Sequence, residues 1–345
     1  METFFIEYRD PMFGIIILFS LIFIISFVNY WWGVFKTKEE RQSITQFIKR
    51  FEVATDDDGY KKILDEFKLS TESLGLLAHS YNKSGDFEKS ISIYLLALKQ
   101  VKNKDEKQYI LTALGKTYFK AGFLRRSEEV FLEALKLFPR NEVALKYLTV
   151  SYEKLKEYDR SLEVLDALEE LGASVATQKL YLEAMKILED NKIPISSKIE
   201  ELKHLKTLYL PAKRMLFEFL INSGEKIDWD EVALFDPSEI IDLFWYLDSS
   251  KIDPKPFKHP TFLTILKVKN LIKDAPKKSS FELEILSILH DAKYNKAGLS
   301  FEYLCQSCKQ TFPMHFYRCP ACHELSSVKI IPTITKEQFE TRLPF

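Results

Sequence analysis

The feature that most constrains this chain is a recurrence. Leu77-Ala78, Tyr81, Gly85, Ser90, Tyr94 and Ala97 return as Leu114-Gly115, Tyr118, Gly122, Ser127, Phe131, Ala134 and Pro139. They return again as Leu148-Thr149, Tyr152, Ser161, Leu165 and Leu168. The tyrosines lie 37 and then 34 residues apart, with the excess in the charged connection at 102–108. Each copy reads as a helical hairpin. The small residues Ala78, Gly115, Ser90 and Ser127 let its two helices approach closely, while the tyrosines fill the space between successive hairpins. No single hairpin can bury its own apolar face, so the copies must stack. An ordinary bundle with accidental echoes is the competing reading, and the repeated pattern argues against it.

The 34-residue interval is the tetratricopeptide period, and residues 70–172 are expected to form three such repeats. Helical signals continue to residue 298 as degenerate repeats. Residues 177–189 are periodic, 196–210 follow a serine cap, and Pro211 opens 212–222, which Gly224 can close. Asp236-Pro237-Ser238-Glu239 starts 240–247, and two more helices are expected at 261–273 and 280–293. The acidic turn Asp56-Asp57-Asp58-Gly59 lacks the alternating spacing and closing Glu of a calcium loop, so it reads as a solvated turn.

Upstream, no residue from Pro11 to Phe35 is charged. Twenty-odd helical residues rise about 30 Å, enough to cross the hydrocarbon core of a membrane, and Tyr30, Trp31 and Trp32 suit the headgroup level. A signal peptide is disfavoured by Glu2, Glu7 and Asp10 in the n-region and by bulky aromatics where a cleavage site would stand. Lys36, Lys38, Arg41, Lys49 and Arg50 follow the span and only Arg9 precedes it, which places the downstream chain in the cytoplasm. The expected organisation is a short non-cytoplasmic N-terminus at 1–11, a transmembrane helix at 12–35, and a linker with leading helices at 36–69.

All four cysteines fall between Cys305 and Cys322, in two CxxC pairs, Cys305/Cys308 and Cys319/Cys322. Tight turns bring two thiolates each onto one ion, and a β-hairpin completes a tetrahedron. Thiolates select zinc or iron, and the ligand set does not discriminate between them. Four sulfurs leave no open position for water, so the ion reads as structural rather than catalytic. A redox dithiol would leave one pair unexplained, and two disulfides would require the opposite topology. His315 and His323 flank the site as packing or surface residues.

No P-loop, GxSxG, HExxH or Gly-rich dinucleotide turn occurs, so no enzyme, small-molecule substrate or catalytic residue is expected. Lys plus Arg (49) nearly cancels Asp plus Glu (50), which argues against a nucleic-acid binder. The first helix of each repeat lines the inner face. There Lys83, Lys116, Phe119, Lys120, Lys146 and Lys154, with His79, Asn82 and Val150, form a candidate groove for an acidic protein surface. A plain solvated face is the competing reading.

In order, the chain resembles the lipopolysaccharide assembly protein B family. The resemblance is carried by residues 77–131, especially LGKTYFKAGFLRRSEEVF, and by YLCQSCKQTFPMHFYRCPACHELSSVKIIP at 303–332. It implies an all-α tetratricopeptide superhelix with an N-terminal membrane helix, a rubredoxin-like zinc ribbon at 299–332 and a tail at 333–345. The chain departs from the family at Lys309, where Gly is usual, and at Tyr317 and Leu325, where Trp is. The resemblance further implies a bacterial inner-membrane adaptor, with a periplasmic N-terminus, that regulates lipopolysaccharide synthesis. Its implied partners are the lipid A pathway deacetylase, a membrane AAA+ protease that receives it, and other inner-membrane proteins reached through the membrane helix. An iron-binding electron-transfer protein and a scaffold unrelated to lipopolysaccharide are the alternatives.

Overall fold

The computed structural model describes residues 18–28, 30, 45, 46, 48, 69–276, 278–294 and 296–336. Residues 18–28 are helical, and their apolar side chains stand exposed, Phe23 at 70% and Phe19 at 66%. The rest of the expected membrane span, nearly all of 36–69 and the tail beyond 336 lie outside the described residues. Among the described residues no helix is long and apolar enough to cross a membrane.

The chain divides into two compact units, residues 1–147 and 148–345. In the first, α1 (Thr71–Ser84) and α2 (Phe87–Gln100) form one hairpin, and α3 (Lys104–Lys120) and α4 (Leu124–Leu137) a second. Side chains of Ser70, Asp86 and Asn103 cap the starts of α1, α2 and α3 by accepting from backbone N–H groups. The turn inside each hairpin needs a left-handed residue, which Gly85 and Gly122 supply at φ 86° and 83°. Gly115 has a different constraint. A Cβ there would stand 2.6–2.9 Å from the fully buried ring of Phe131, so only glycine lets α3 and α4 meet.

The boundary between the units falls inside α5 (Glu142–Lys154). In the second unit α6 (Tyr158–Glu170) follows, and Lys156 at φ 60° takes the turn position that glycine holds in the other hairpins. The recurring serine does more than save space. Ser90 Oγ donates to Ala78 O at 2.8 Å, Ser127 Oγ to Gly115 O at 3.0 Å and Ser161 Oγ to Thr149 O at 2.9 Å. Each is a buried bond spanning twelve residues, pinning the second helix of a hairpin to the first.

Next come α7 (Ala176–Glu189), α8 (Ile195–Leu205), α9 (Ala212–Ser223), α10 (Trp229–Val232), α11 (Pro237–Tyr246), a 3₁₀ turn (Ser249–Lys251), α12 (Pro260–Val268) and α13 (Phe281–Asp291). Gly224 closes α9 at φ 70°, and Asp236 with Pro237 opens α11, as expected. The expectation for 196–210 needs correction. Helix α8 starts at Ile195 behind Pro194, has no side-chain cap, and stops at Leu205, after which Leu208 and Leu210 are exposed. The short α10 carries no periodic pattern and was not expected.

Strands β1 (Gly298–Cys305), β2 (Thr311–Phe312) and β3 (Val328–Thr335) form one antiparallel sheet in the order β2-β1-β3. The sheet runs from 298 to 335, slightly beyond the expected 299–332, because Gly298 pairs with Thr335. Leu299, Phe301, Tyr303 and Cys305 alternate inward along β1. They share one apolar core with Phe217, Phe244 and Phe262 of the helices and with Phe257 of the connection before α12, so the ribbon is docked on the helices of its unit.

Candidate metal centre and its surroundings

Two near-identical knuckles build the centre. In the first, the N–H of Lys309 donates to Cys305 O at 2.9 Å, and in the second that of His323 donates to Cys319 O at 3.0 Å. Lys309 and His323 both take φ 63°. Each is the residue directly after a CxxC pair, a left-handed position that favours glycine and that these side chains occupy at some strain. The knuckles face each other. Cys305 Sγ lies 3.6 Å from Cys322 Sγ, and Cys308 Sγ lies 3.7 Å from Cys319 Sγ. All four sulfurs fall within 4.8 Å of one another, and none is in a disulfide.

A zinc–sulfur bond of about 2.3 Å implies tetrahedral edges of about 3.8 Å, so the thiol spacing and the soft donor set fit one such ion. Cys305 and Cys319 are buried, Cys308 is partly buried and Cys322 is exposed. Burial pushes the Cys305 thiol up, but hydrogen bonds from the Ser327 hydroxyl and from backbone N–H groups outweigh it, leaving the thiol at about 6. Burial pushes Cys319 up to about 12. Neither neighbouring histidine is needed as a ligand. His315 sits edge-on to Tyr303 and Tyr317, with ring centroids 5.6 and 4.9 Å away.

Charged side chains tie the ribbon to the helices. Arg214 of α9 is buried and donates to both oxygens of Asp242 of α11, at 2.8 and 2.7 Å. Its Nε donates to Glu218 at 2.9 Å, and a second bond from Nη1 reaches Glu239 O. From the ribbon, Tyr303 donates to Asp242 at 2.9 Å and Tyr317 donates to Glu218. Burial raises the Asp242 carboxyl, but the Arg214 hydrogen bonds and charge outweigh it, so it ends below its usual range. Burial likewise raises Glu218, and there Arg214 compensates less than fully.

A second tie starts next to Cys319. Arg318 Nε donates to Glu153 of α5 at 2.6 Å, and Arg318 Nη1 donates to His323 O at 2.9 Å. The guanidinium lies over the ring of Tyr181, whose hydroxyl also donates to Glu153 at 2.9 Å. The spacing of 165 positions between Arg318 and Glu153 leaves no local trace.

The expected lysine groove is distributed over both units. In the first, Lys120 donates to Asn82 Oδ1 at 3.3 Å, and Asn82 in turn donates to Thr117 at 2.6 Å. Lys116 lies over the ring of Tyr147, and burial, then the charge of Lys120, lowers its pKa. Lys146 pairs with Glu142 at 3.0 Å, and Lys83 is exposed at the end of α1. Phe119 is no exposed groove residue, because it is buried edge-on against Tyr147. Val150 is likewise core. Lys154 belongs to the second unit.

A protein-family model of the tetratricopeptide repeat matches residues 71–100. Over 90 residues, 26% of this chain, the sequence is 34% identical to Protein CTR9 homolog of Arabidopsis thaliana, and the match spans 8% of that protein. The match at 71–100 coincides with hairpin α1–α2, so this chain carries a tetratricopeptide repeat, a module that generally mediates protein–protein contact and does not itself catalyse reactions.

Proposed function

We propose that this protein is a membrane-anchored adaptor of the bacterial inner membrane. Its repeats would capture proteins on the cytoplasmic side, and its ribbon would hold one structural zinc. The observation that carries the scaffold role is the tetratricopeptide hairpin at 71–100, continued by a second hairpin with the same serine bond and the same left-handed glycine turn. The anchor rests on the uncharged run from Pro11 to Phe35 and on the lysines and arginines after it. The zinc rests on sulfur pairs 3.6 and 3.7 Å apart.

The finer reading follows from the resemblance at 77–131 and 303–332. In it the adaptor presents the lipid A pathway deacetylase to a membrane AAA+ protease and so limits lipopolysaccharide synthesis. The test is the half-life of the deacetylase in cells with and without this protein. A lifetime several-fold longer in its absence, restored by the full chain and not by Cys305→Ser, is the expected result. An unchanged lifetime refutes the lipopolysaccharide role and leaves the scaffold role, which co-purification from native membranes tests separately. Reporter fusions at both ends test the topology, and a periplasmic C-terminus refutes it. Visible absorption of the purified protein distinguishes iron from zinc in the same four-thiolate set.

A further inference from the structure

Helices α1 and α3 lie side by side and run the same way. Thr71 donates to Glu106 at 3.1 Å near their starts, and Asn82 donates to Thr117 at 2.6 Å near their ends, both across 35 positions. Helix α5 joins α3 at its own start, where Asn141 donates to Thr112 at 2.9 Å. This register sets two rows of side chains on the outward face of the first unit.

The first row is apolar. Leu76 and Tyr109 are each 64% exposed and Val143 is 40% exposed, although the same helices bury their other faces. The second row is basic. Lys83 lies two turns beyond Leu76, and Lys116 and Lys120 lie two and three turns beyond Tyr109, so the rows stand about 10 Å apart. No Asp or Glu occurs at 73–85 or 107–120, and none of the three lysines forms an ion pair among the described residues. Burial, and then the charge of Lys120, lowers the Lys116 pKa, a crowding that an incoming carboxylate relieves. Beyond the other edge of the apolar row stand Glu72 and Glu106, about one turn before Leu76 and Tyr109.

An apolar row with cations along one edge and carboxylates along the other selects a ligand with matching stripes. An α-helix about 10–12 Å across presents an apolar and a charged stripe side by side at about that spacing. We propose that this face binds an amphipathic helix of a partner protein, its aliphatic stripe on Leu76, Tyr109 and Val143 and its acidic flank on Lys83, Lys116 and Lys120. Glu72 and Glu106 repel the acidic flank in the reversed placement, so the bound helix lies one way round. The occupant follows from charge complementarity, and the proposal rests on the reading of the chain as a protein-binding scaffold.

Fluorescence anisotropy of the purified full chain tests it, with detergent alone as the blank. The probe is a fluorescein-labelled peptide of three Leu-Glu-Gln-Leu-Glu-Ala-Gln repeats, which sets glutamate along one flank of a leucine stripe. It should bind about ten-fold more tightly than the same peptide with glutamine for glutamate, and high salt should narrow the gap. Lys83→Glu with Lys120→Glu, both at exposed positions, should erase the gap and admit the peptide with lysine for glutamate, while zinc content and melting temperature stay unchanged. Tyr109→Ala should weaken the acidic peptide several-fold. Equal affinities for the two peptides, a gap that survives the double exchange, or no binding of either overturns the proposal. So does a dimer in sedimentation that Tyr109→Ala dissociates, because the face then belongs to a second copy. A chain that co-purifies with partners but ignores both peptides refutes this site alone. Acid-selective binding without any co-purifying partner supports the site and refutes the scaffold.

Discussion

Arg214 places four of its five N–H donors on Asp242, Glu218 and Glu239 O, and nothing in its sequence neighbourhood marks it as different from other helical arginines. Its charge is what allows Asp242 to stay ionised at 1% exposure. Removing one partner of a buried pair strands the other, at about 3–5 kcal/mol. Arg214→Met is therefore expected to lower stability by about that amount in urea unfolding, and Arg214→Met with Asp242→Leu should recover much of it. Arg214→Lys should not substitute, because an ammonium cannot span Asp242 and Glu218 as a fork does.

Lys269 poses the reverse problem. Burial lowers its pKa to about 8, partly offset by Asp248, while Nζ donates to Leu247 O at 2.7 Å and lies over Trp245. Between about 8 and its ordinary value the unfolded chain binds a proton that the folded chain does not, so stability rises with pH across that window. The gain should be on the order of 1 kcal/mol after solvent screening, measured by urea unfolding from pH 7 to 9.5. Lys269→Met should abolish the slope, and a slope that persists would assign it to another group.

At the scale of elements, each hairpin is held by a short set of local rules, and these were legible. The left-handed turns follow from Gly85 and Gly122, and the close approach from Ala78, Gly115 and the serines. The bonding partner of each serine was not legible, because spacing shows only that the residue is small. Nor was the burial of Phe119, which the helical face alone would turn toward the groove and which Tyr147 covers instead. Gly115→Ala drives a methyl into the Phe131 ring and should cost about 1–3 kcal/mol in thermal or urea unfolding. Phe131→Leu in the same chain should return part of that loss, since it vacates the ring edge that the new Cβ meets. A loss equal in both backgrounds would assign the cost to backbone effects.

For the whole molecule, the ribbon is part of the second unit's core rather than an appendage. Phe301, Tyr303, Cys305 and Cys319 pack in the same cluster as Phe244 and Phe262. Cys319→Ser should abolish stoichiometric zinc and lower the melting temperature by on the order of 10 °C or more, because metal binding is folding energy for so small a module. Hydrogen exchange should then accelerate in α11 and α12 as well as in the ribbon. Exchange confined to residues 298–335 would show that the docking survives without the knuckles.

The sequence by itself determined the repeat period, the helix-starting Asp236-Pro237, the closing Gly224 and the two CxxC pairs. Each of these is written within a few residues by backbone preference or by the reach of a tight turn. Only the tertiary structure decided that Arg318 meets Glu153, that Tyr303 and Tyr317 meet Asp242 and Glu218, and that a cavity forms at the seam. Those pairings join residues 61 to 165 positions apart, where neither periodicity nor propensity acts. Burial selected them, because once the ribbon's apolar face is covered every charge beneath it must find a partner.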